Sequence, residues 1–261
     1  MAGKRSARSS NRVDPFVLSV DVVRERIVEP GAYPFTIPAI RGLARLPLHP
    51  RVTYLVGENG SGKSTLLEAI AVAAGFNAEG GSSNFHFSTR RSESPLCEAL
   101  RLVRSSRRPR TGFFLRAESY FNLATNIEDL DREPGLGPPV IDSYGGKSLH
   151  EQSHGESFLA LLMNRFGRDG LYVLDEPEAA LSPMRQMSAL ARIHQLVLEG
   201  SQFVIATHAP ILLAYPGALI YELSGEGIRE VPYEATATYA VTRDFILHRE
   251  TMLRELLAED E

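Results

Sequence analysis

Apolar residues fall along the chain in short solid runs and in helical stripes, and the two alternate. Val52-Thr53-Tyr54-Leu55-Val56 is apolar or β-branched at every step, as a strand covered on both faces is. Leu171-Tyr172-Val173-Leu174 and Gln202-Phe203-Val204-Ile205-Ala206 repeat that pattern. Between these runs the apolar spacing changes to three and four. Leu66, Leu67, Ile70 and Ala74 share one face of a helix predicted over 63–74, with Gly75 as its stop. A second helix is predicted over 156–166. A third runs from Pro183 to about Leu198, with Ser182 as N-cap, proline in the first helical position, and Gly200 as its end. Buried strands alternating with helices predict an α/β fold with a largely parallel core sheet.

The flanks read differently. "FVLSVDVVRERIV" is β-rich and breaks at Pro30-Gly31, and "YPFTIPAIRGLARLPL" suggests short strands that add to an edge sheet. Together they predict an N-terminal antiparallel β portion. Residues 76–150 mix a loop-rich stretch, a short helix, the strand "GFFLR" and a Pro/Gly-rich connection, and read as an inserted helical and loop subdomain. "ALIYEL" and "GIREVPY" predict a closing hairpin around Ser224-Gly225, and an amphipathic helix is predicted over about 241–258. The expected organisation is a disordered basic tail at 1–13, a single domain over 14–240, and a C-terminal helix at 241–261.

Composition narrows the setting. At 261 residues a sizeable core is affordable, and a formal net charge of -4 means that any basic surface must be local. The single cysteine, Cys97, excludes a disulfide framework within the chain and fits a reducing cytosol, so a cytoplasmic location is expected. No apolar run is long enough to span a bilayer, and no signal-peptide core follows the basic N-terminus. Arg101, Arg104, Arg107, Arg108 and Arg110 form the one marked basic cluster. It can be read as a phosphate-neutralising surface for DNA or as a solvated face.

The chemistry concentrates after the first strand. "GENGSGKST" supplies Gly57, Glu58, Asn59, Gly60, Ser61, Gly62, Lys63, Ser64 and Thr65 and fits G-x-x-x-x-G-K-[ST] between a predicted strand and a predicted helix. In such a loop backbone N–H groups and the helix dipole hold phosphates, Lys63 reaches the β- and γ-phosphates, and the Ser64 hydroxyl ligates magnesium. ATP and Mg2+ are therefore the expected ligands. Asp175 and Glu176 end the second run. The first is placed to hold the metal and the second to polarise a water as general base. His208 closes the third run.

In this order the motifs resemble those of an ABC-type ATPase. Ser153-His154-Gly155-Glu156 is similar to the signature motif in a variant form, with Ser157 where the usual glutamine stands. Leu174-Asp175-Glu176-Pro177 resembles the second Walker motif, Ala179-Ala180-Leu181-Ser182 the D-loop, and His208 the switch histidine. The chain also resembles standalone predicted ATPases often labelled AAA-family, and the heads of the RecF, SMC and Rad50 proteins. The resemblance implies two ATP molecules sandwiched in a homodimer. Ser153, Gly155 and Glu156 of one copy would face the γ-phosphate held by the other, and His208 would sense that phosphate.

Two expectations follow by position. Glu118 is the candidate for the metal-reaching glutamine of this group. Adenine would meet Tyr33, Phe35 or the basic Arg41. The expected function is Mg-dependent ATP hydrolysis acting on a macromolecular partner, with DNA or a protein as candidates. A transporter ATPase subunit, a slow nucleotide-dependent switch and a ring-forming ATPase are the alternatives.

Overall fold

The structure, a computed structural model, describes residues 14–82, 94–116, 154–179 and 181–258. Two sheets share one helix. The first is a 3-stranded antiparallel sheet in the order β2-β1-β4, built from β1 (Val17–Val22), β2 (Arg45–Pro47) and β4 (Leu100–Arg104). The second has 6 strands in the order β5-β6-β7-β3-β8-β9. Its members are β3 (Val52–Gly57), β5 (Thr111–Arg116), β6 (Gly170–Asp175), β7 (Gln202–Ala206), β8 (Leu219–Ser224) and β9 (Gly227–Glu230). The strands from β5 to β8 in that order pair in parallel, and β9 closes the edge as an antiparallel hairpin with β8.

Solid apolar runs become central strands because both faces of this sheet are covered. Val52, Tyr54, Val56, Tyr172, Leu174, Phe203 and Ile205 point into one core. There they meet α4 (His154–Asn164) and α5 (Pro183–Leu198), through Leu161, Leu162, Ile193 and Leu196 among others. Their neighbours Leu55, Leu171, Val173, Val204 and Ala206 point to the opposite core. That core is filled by Leu66, Leu67 and Ile70 of α2 (Lys63–Ala74) and by Val17, Val20 and Leu46 of the antiparallel sheet. Helix α2 thus lies between the two sheets. It ends as its sequence predicts, on Gly75 at φ +100°, and Ser182 caps α5 by accepting from the Arg185 N–H.

Four expectations need correcting. Pro38–Arg41 forms a short helix, α1, rather than a strand; the proline takes its first position, where its missing N–H costs nothing. Leu100–Arg104 falls within residues 76–150, which read from the sequence as an inserted helical and loop subdomain. It is a strand, joined to the four-residue α3 (Leu96–Ala99), and pairs with β1 across the antiparallel sheet. The next strand, β5, is an edge of the main sheet, so both sheets recruit from the region read as an insertion. The C-terminal segment is two helices, α7 (Ala237–Leu247) and α8 (Arg249–Leu256), broken at His248 with φ -122°. A four-residue helix α6 (Pro210–Leu213) follows β7. The predicted tail at 1–13 and most of the predicted insertion lie outside the described residues.

Candidate functional site

Parallel sheets bind ligands at the carboxyl ends of their strands, beside the strand where the order reverses. Here the reversal lies between β3 and β7: the chain leaves β3 toward β5 on one side and leaves β7 past β3 to β8 on the other. The loop Gly57–Gly62 leaves the end of β3 and turns into α2. Two of its glycines answer to close contacts. Gly57 sits at φ +143°, where a Cβ would lie 2.2 Å from the Leu223 carbonyl oxygen. Gly62 sits at φ +97°, where a Cβ would lie 2.9 Å from the Ile37 methyl. Glu58, Asn59 and Gly60 are exposed at the tip, while Gly62 and Lys63 are buried.

Lys63 extends back under the loop, and its Nζ donates to the carbonyls of Gly57 at 2.8 Å and Glu58 at 2.9 Å. Burial holds its ammonium below the usual lysine range, opposed by the charges of Glu176, Asp175 and Glu178. The lysine is therefore a buried cation facing three carboxylates. Ser64, on the first turn of α2, donates through its hydroxyl to Asp175 Oδ1 at 3.1 Å. Asp175 closes β6 and is buried.

Glu176 follows in the left-handed region at φ 48°, unusual for a residue with a side chain and a known mark of functional loops. Its N–H extends the sheet ladder to the Ala206 carbonyl at 2.9 Å, which fixes the backbone. Its carboxylate comes within 3.6 Å of His208 Nε2. That contact is too long for a hydrogen bond. Glu178 holds the histidine from behind, accepting the His208 backbone N–H. Three buried polar atoms in this region lack a hydrogen-bond partner among the described residues: Ser61 Oγ, Glu178 Oε2 and His208 Nε2. Buried polar atoms are nearly always paired, so three orphans around one loop suit a polar ligand. A cavity of about 570 Å³ opens here between Gly57–Ser61, His208 and the end of β8.

The structure thus brings Lys63, Ser64, Asp175, Glu176 and His208 together. The other expected residues divide. Ser153 and Glu118 lie outside the described residues. Gly155 and Glu156 are in the first turn of α4, where Glu156 pairs with Arg185 of α5 at 3.1 Å. Ser157 is fully buried, so it does not present its hydroxyl as the usual signature glutamine would present its amide. Phe35 is buried in the core and offers no face to a base. Arg41 is exposed at the end of α1, a turn beyond the Ile37 that touches Gly62. Tyr33 is exposed, and its hydroxyl hydrogen-bonds the Thr65 hydroxyl at 2.8 Å, which places its ring at the end of the phosphate loop.

The arginine cluster is occupied within the fold. Arg101 pairs with Asp21 at 3.1 Å, and Arg107 and Arg110 pair with Asp169. Arg104 donates to the last carbonyls of α2 at 3.1 and 3.3 Å, and Arg108 to the Ser105 carbonyl at 2.8 Å. Sequence reasoning missed Glu178. Its only signal was a third acid close behind Asp175 and Glu176.

Hard oxygen donors suit magnesium, and the Ser64 hydroxyl and Asp175 carboxylate are such a pair. Among the described residues no group of three or more His, Cys, Asp or Glu side chains is placed to hold a metal. No helix among them is long and apolar enough to cross a membrane.

Fold and site define a P-loop nucleotide-binding α/β protein. A family model described as "AAA domain" matches residues 39–101, the stretch that carries the phosphate loop. No curated protein matches the chain. Similar solved structures include the SMC head domain from Thermotoga maritima, at 17% identity and a TM-score of 0.36, covering 72% of this chain and 92% of that one. An ATP-binding cassette of an ABC transporter in its ADP conformation is 16% identical, with a TM-score of 0.49 and coverage of 93% and 99%. The cbiO1 protein from Clostridium perfringens, part of an ABC transporter complex, is 15% identical, with a TM-score of 0.45 and coverage of 93% and 100%.

Proposed function

We propose that the protein is a Mg-dependent ATP hydrolase whose complete site forms between two copies of the chain. The observation that carries this reading is the meeting of Lys63, the Ser64–Asp175 pair, Glu176 and His208 at the carboxyl ends of β3, β6 and β7. The backbone N–H groups of Gly57–Thr65 and the N-terminus of α2 hold the phosphates. Lys63 exchanges the Gly57 and Glu58 carbonyls for β- and γ-phosphate oxygens. Ser64 and Asp175 hold magnesium, which draws charge from those oxygens when bound. Glu176, pinned at its backbone, orients a water and takes its proton. His208 donates from Nε2 to the γ-phosphate. Tyr33 stands where it can stack on the base, and Arg41 is the alternative contact.

In this reading Ser153, Gly155 and Glu156 of the second copy cover the γ-phosphate, so ATP joins the copies and hydrolysis parts them. The partner on which the cycle acts is a macromolecule. DNA and a protein both remain candidates: Arg101, Arg104, Arg108 and Arg110 contact Asp21, Asp169 and main-chain carbonyls yet stay exposed to solvent.

The test is ATP turnover at low salt, with and without linear duplex DNA, with Glu176→Gln as the blank. Turnover that vanishes in the variant supports the general-base role, and stimulation by DNA favours nucleic acid as the partner. Unchanged turnover in Glu176→Gln overturns the assignment.

A further inference from the structure

The C-terminal helices carry an apolar surface that the fold does not use. Neither α7 nor α8 has a buried residue. Val241, Ile246, Leu247, Leu256 and Leu257 are 64–74% exposed, and Phe245 is 37% exposed. Single exposed apolar residues are ordinary, but six large ones within one short segment mark a contact surface.

Its charges say what fits it. Residues 237–257 contain Arg243, Arg249 and Arg254 against Asp244, Glu250 and Glu255, so the segment is balanced. Helices that lie on anionic membranes or follow nucleic acid carry a basic face, and this one does not. The order of the charges is self-complementary instead. Glu250 and Arg254 lie one helical turn apart on the same flank of α8, and Leu253 and Leu257 continue that face. When two copies of α8 pair antiparallel through this face, about a two-fold axis midway between Glu250 and Arg254, each Glu250 faces the other copy's Arg254, and each Arg254 the other copy's Glu250. A two-fold contact requires such a patch, in which residue i meets j and j meets i.

We infer that α7 and α8 pair with the same helices of a second copy, forming a dimer contact that needs no nucleotide. This contact is separate from the ATP-dependent sandwich proposed above. The two are joined in the fold, because Ala237 and Thr238 at the start of α7 line the cavity beside the phosphate loop. Tail pairing keeps the two phosphate loops at high mutual concentration between cycles, so that ATP closes a dimer that is already tethered.

The experiment is sedimentation of the full chain without nucleotide, up to about 50 µM, where mass action favours association. A dimer is expected, and it persists in Lys63→Ala, which separates this contact from nucleotide binding. Ile246→Glu combined with Leu257→Glu changes only exposed positions and yields a monomer. Glu250→Arg sets like charges together twice across the axis and weakens the dimer roughly tenfold or more. Adding Arg254→Glu reverses both pairs and restores it. A monomer at every concentration overturns the inference, and so does a Glu250→Arg chain that associates as tightly as the parent.

Discussion

Replacing Gly57 with alanine tests whether the phosphate loop is held by its neighbours or merely flexible. Gly57 is the last residue of β3 and pairs with Leu223 of β8. An added Cβ would lie 2.2 Å from the Leu223 oxygen and 2.9 Å from Ser61 Oγ, at φ +143°. Relief requires roughly an ångström of movement between two strands in the middle of a packed sheet. Left-handed strain costs about 1–3 kcal/mol. Overpacking against backbone adds about 1–3 kcal/mol, for a total of about 2–6 kcal/mol. At about 2–4 °C per kcal/mol for a domain of this size, the melting temperature should fall by roughly 10 °C. Gly60→Ala is the control. Gly60 also has positive φ, +81°, but nothing lies within 4 Å of its Cβ direction, so only about 1–2 kcal/mol of strain applies. Thermal unfolding of both variants without nucleotide, followed by circular dichroism, reads the difference. Equal melting temperatures would refute the reasoning, because they would mean that the Leu223 contact constrains nothing.

Glu176→Gln should retain ATP binding while turnover drops by about 10²-fold or more, read as a stable ATP-bound dimer by light scattering. Ser64→Ala removes a hard donor beside Asp175. It should raise the magnesium concentration needed for half-maximal ATP binding while leaving the fold intact, as a magnesium titration with a fluorescent ATP analogue will show. Stability should fall on the alkaline side. Burial pushes the Tyr172 phenol up to about 12 from its ordinary 10.0, so between those values the folded state holds a proton that the unfolded chain has released. Stability is then full below pH 10 and declines as pH rises through the window. Tyr172→Phe should make the decline shallower by up to about 1.4 kcal/mol per pH unit in urea titrations, at the cost of the Gly167 hydrogen bonds.

Local rules carried much of this fold. The strand–loop–helix unit from Val52 to Gly75 was legible because covered strands, glycine turns and a helix stop each leave a signature within a few residues. Ser182 and Pro183 announced α5 for the same reason. Strand β4 was not legible. "LRLVR" puts Arg101 and Arg104 three apart, a helical spacing, and its partner β1 lies far away in sequence. The break at His248 was also hidden, since neither glycine nor proline marks it. At the site, residue types foretold the meeting of Ser64 with Asp175, which the structure brings within 3.1 Å. The grip of Glu178 on the His208 backbone depends on how two strand-end loops fall beside each other, which no local pattern records. The pairing of Arg101 with Asp21 and of Arg107 and Arg110 with Asp169 was hidden too, because the acids come from other elements.

Gln202 begins β7 and is buried, and its amide is fully engaged with main-chain groups. Its amide oxygen accepts the N–H groups of Phe16 and Val17 at 2.9 and 3.0 Å, and its amide nitrogen donates to the carbonyls of Val17 and His49 at 2.8 and 3.0 Å. One side chain therefore serves the main chain of the other sheet as a missing strand would. The antiparallel layer is consequently not a detachable module. A graft that moved it onto another parallel sheet would strand four peptide groups away from water unless a glutamine waited at the same height. The two layers are inherited as one block, and variation among kindred chains should appear in the loops and the tail before it appears at this join.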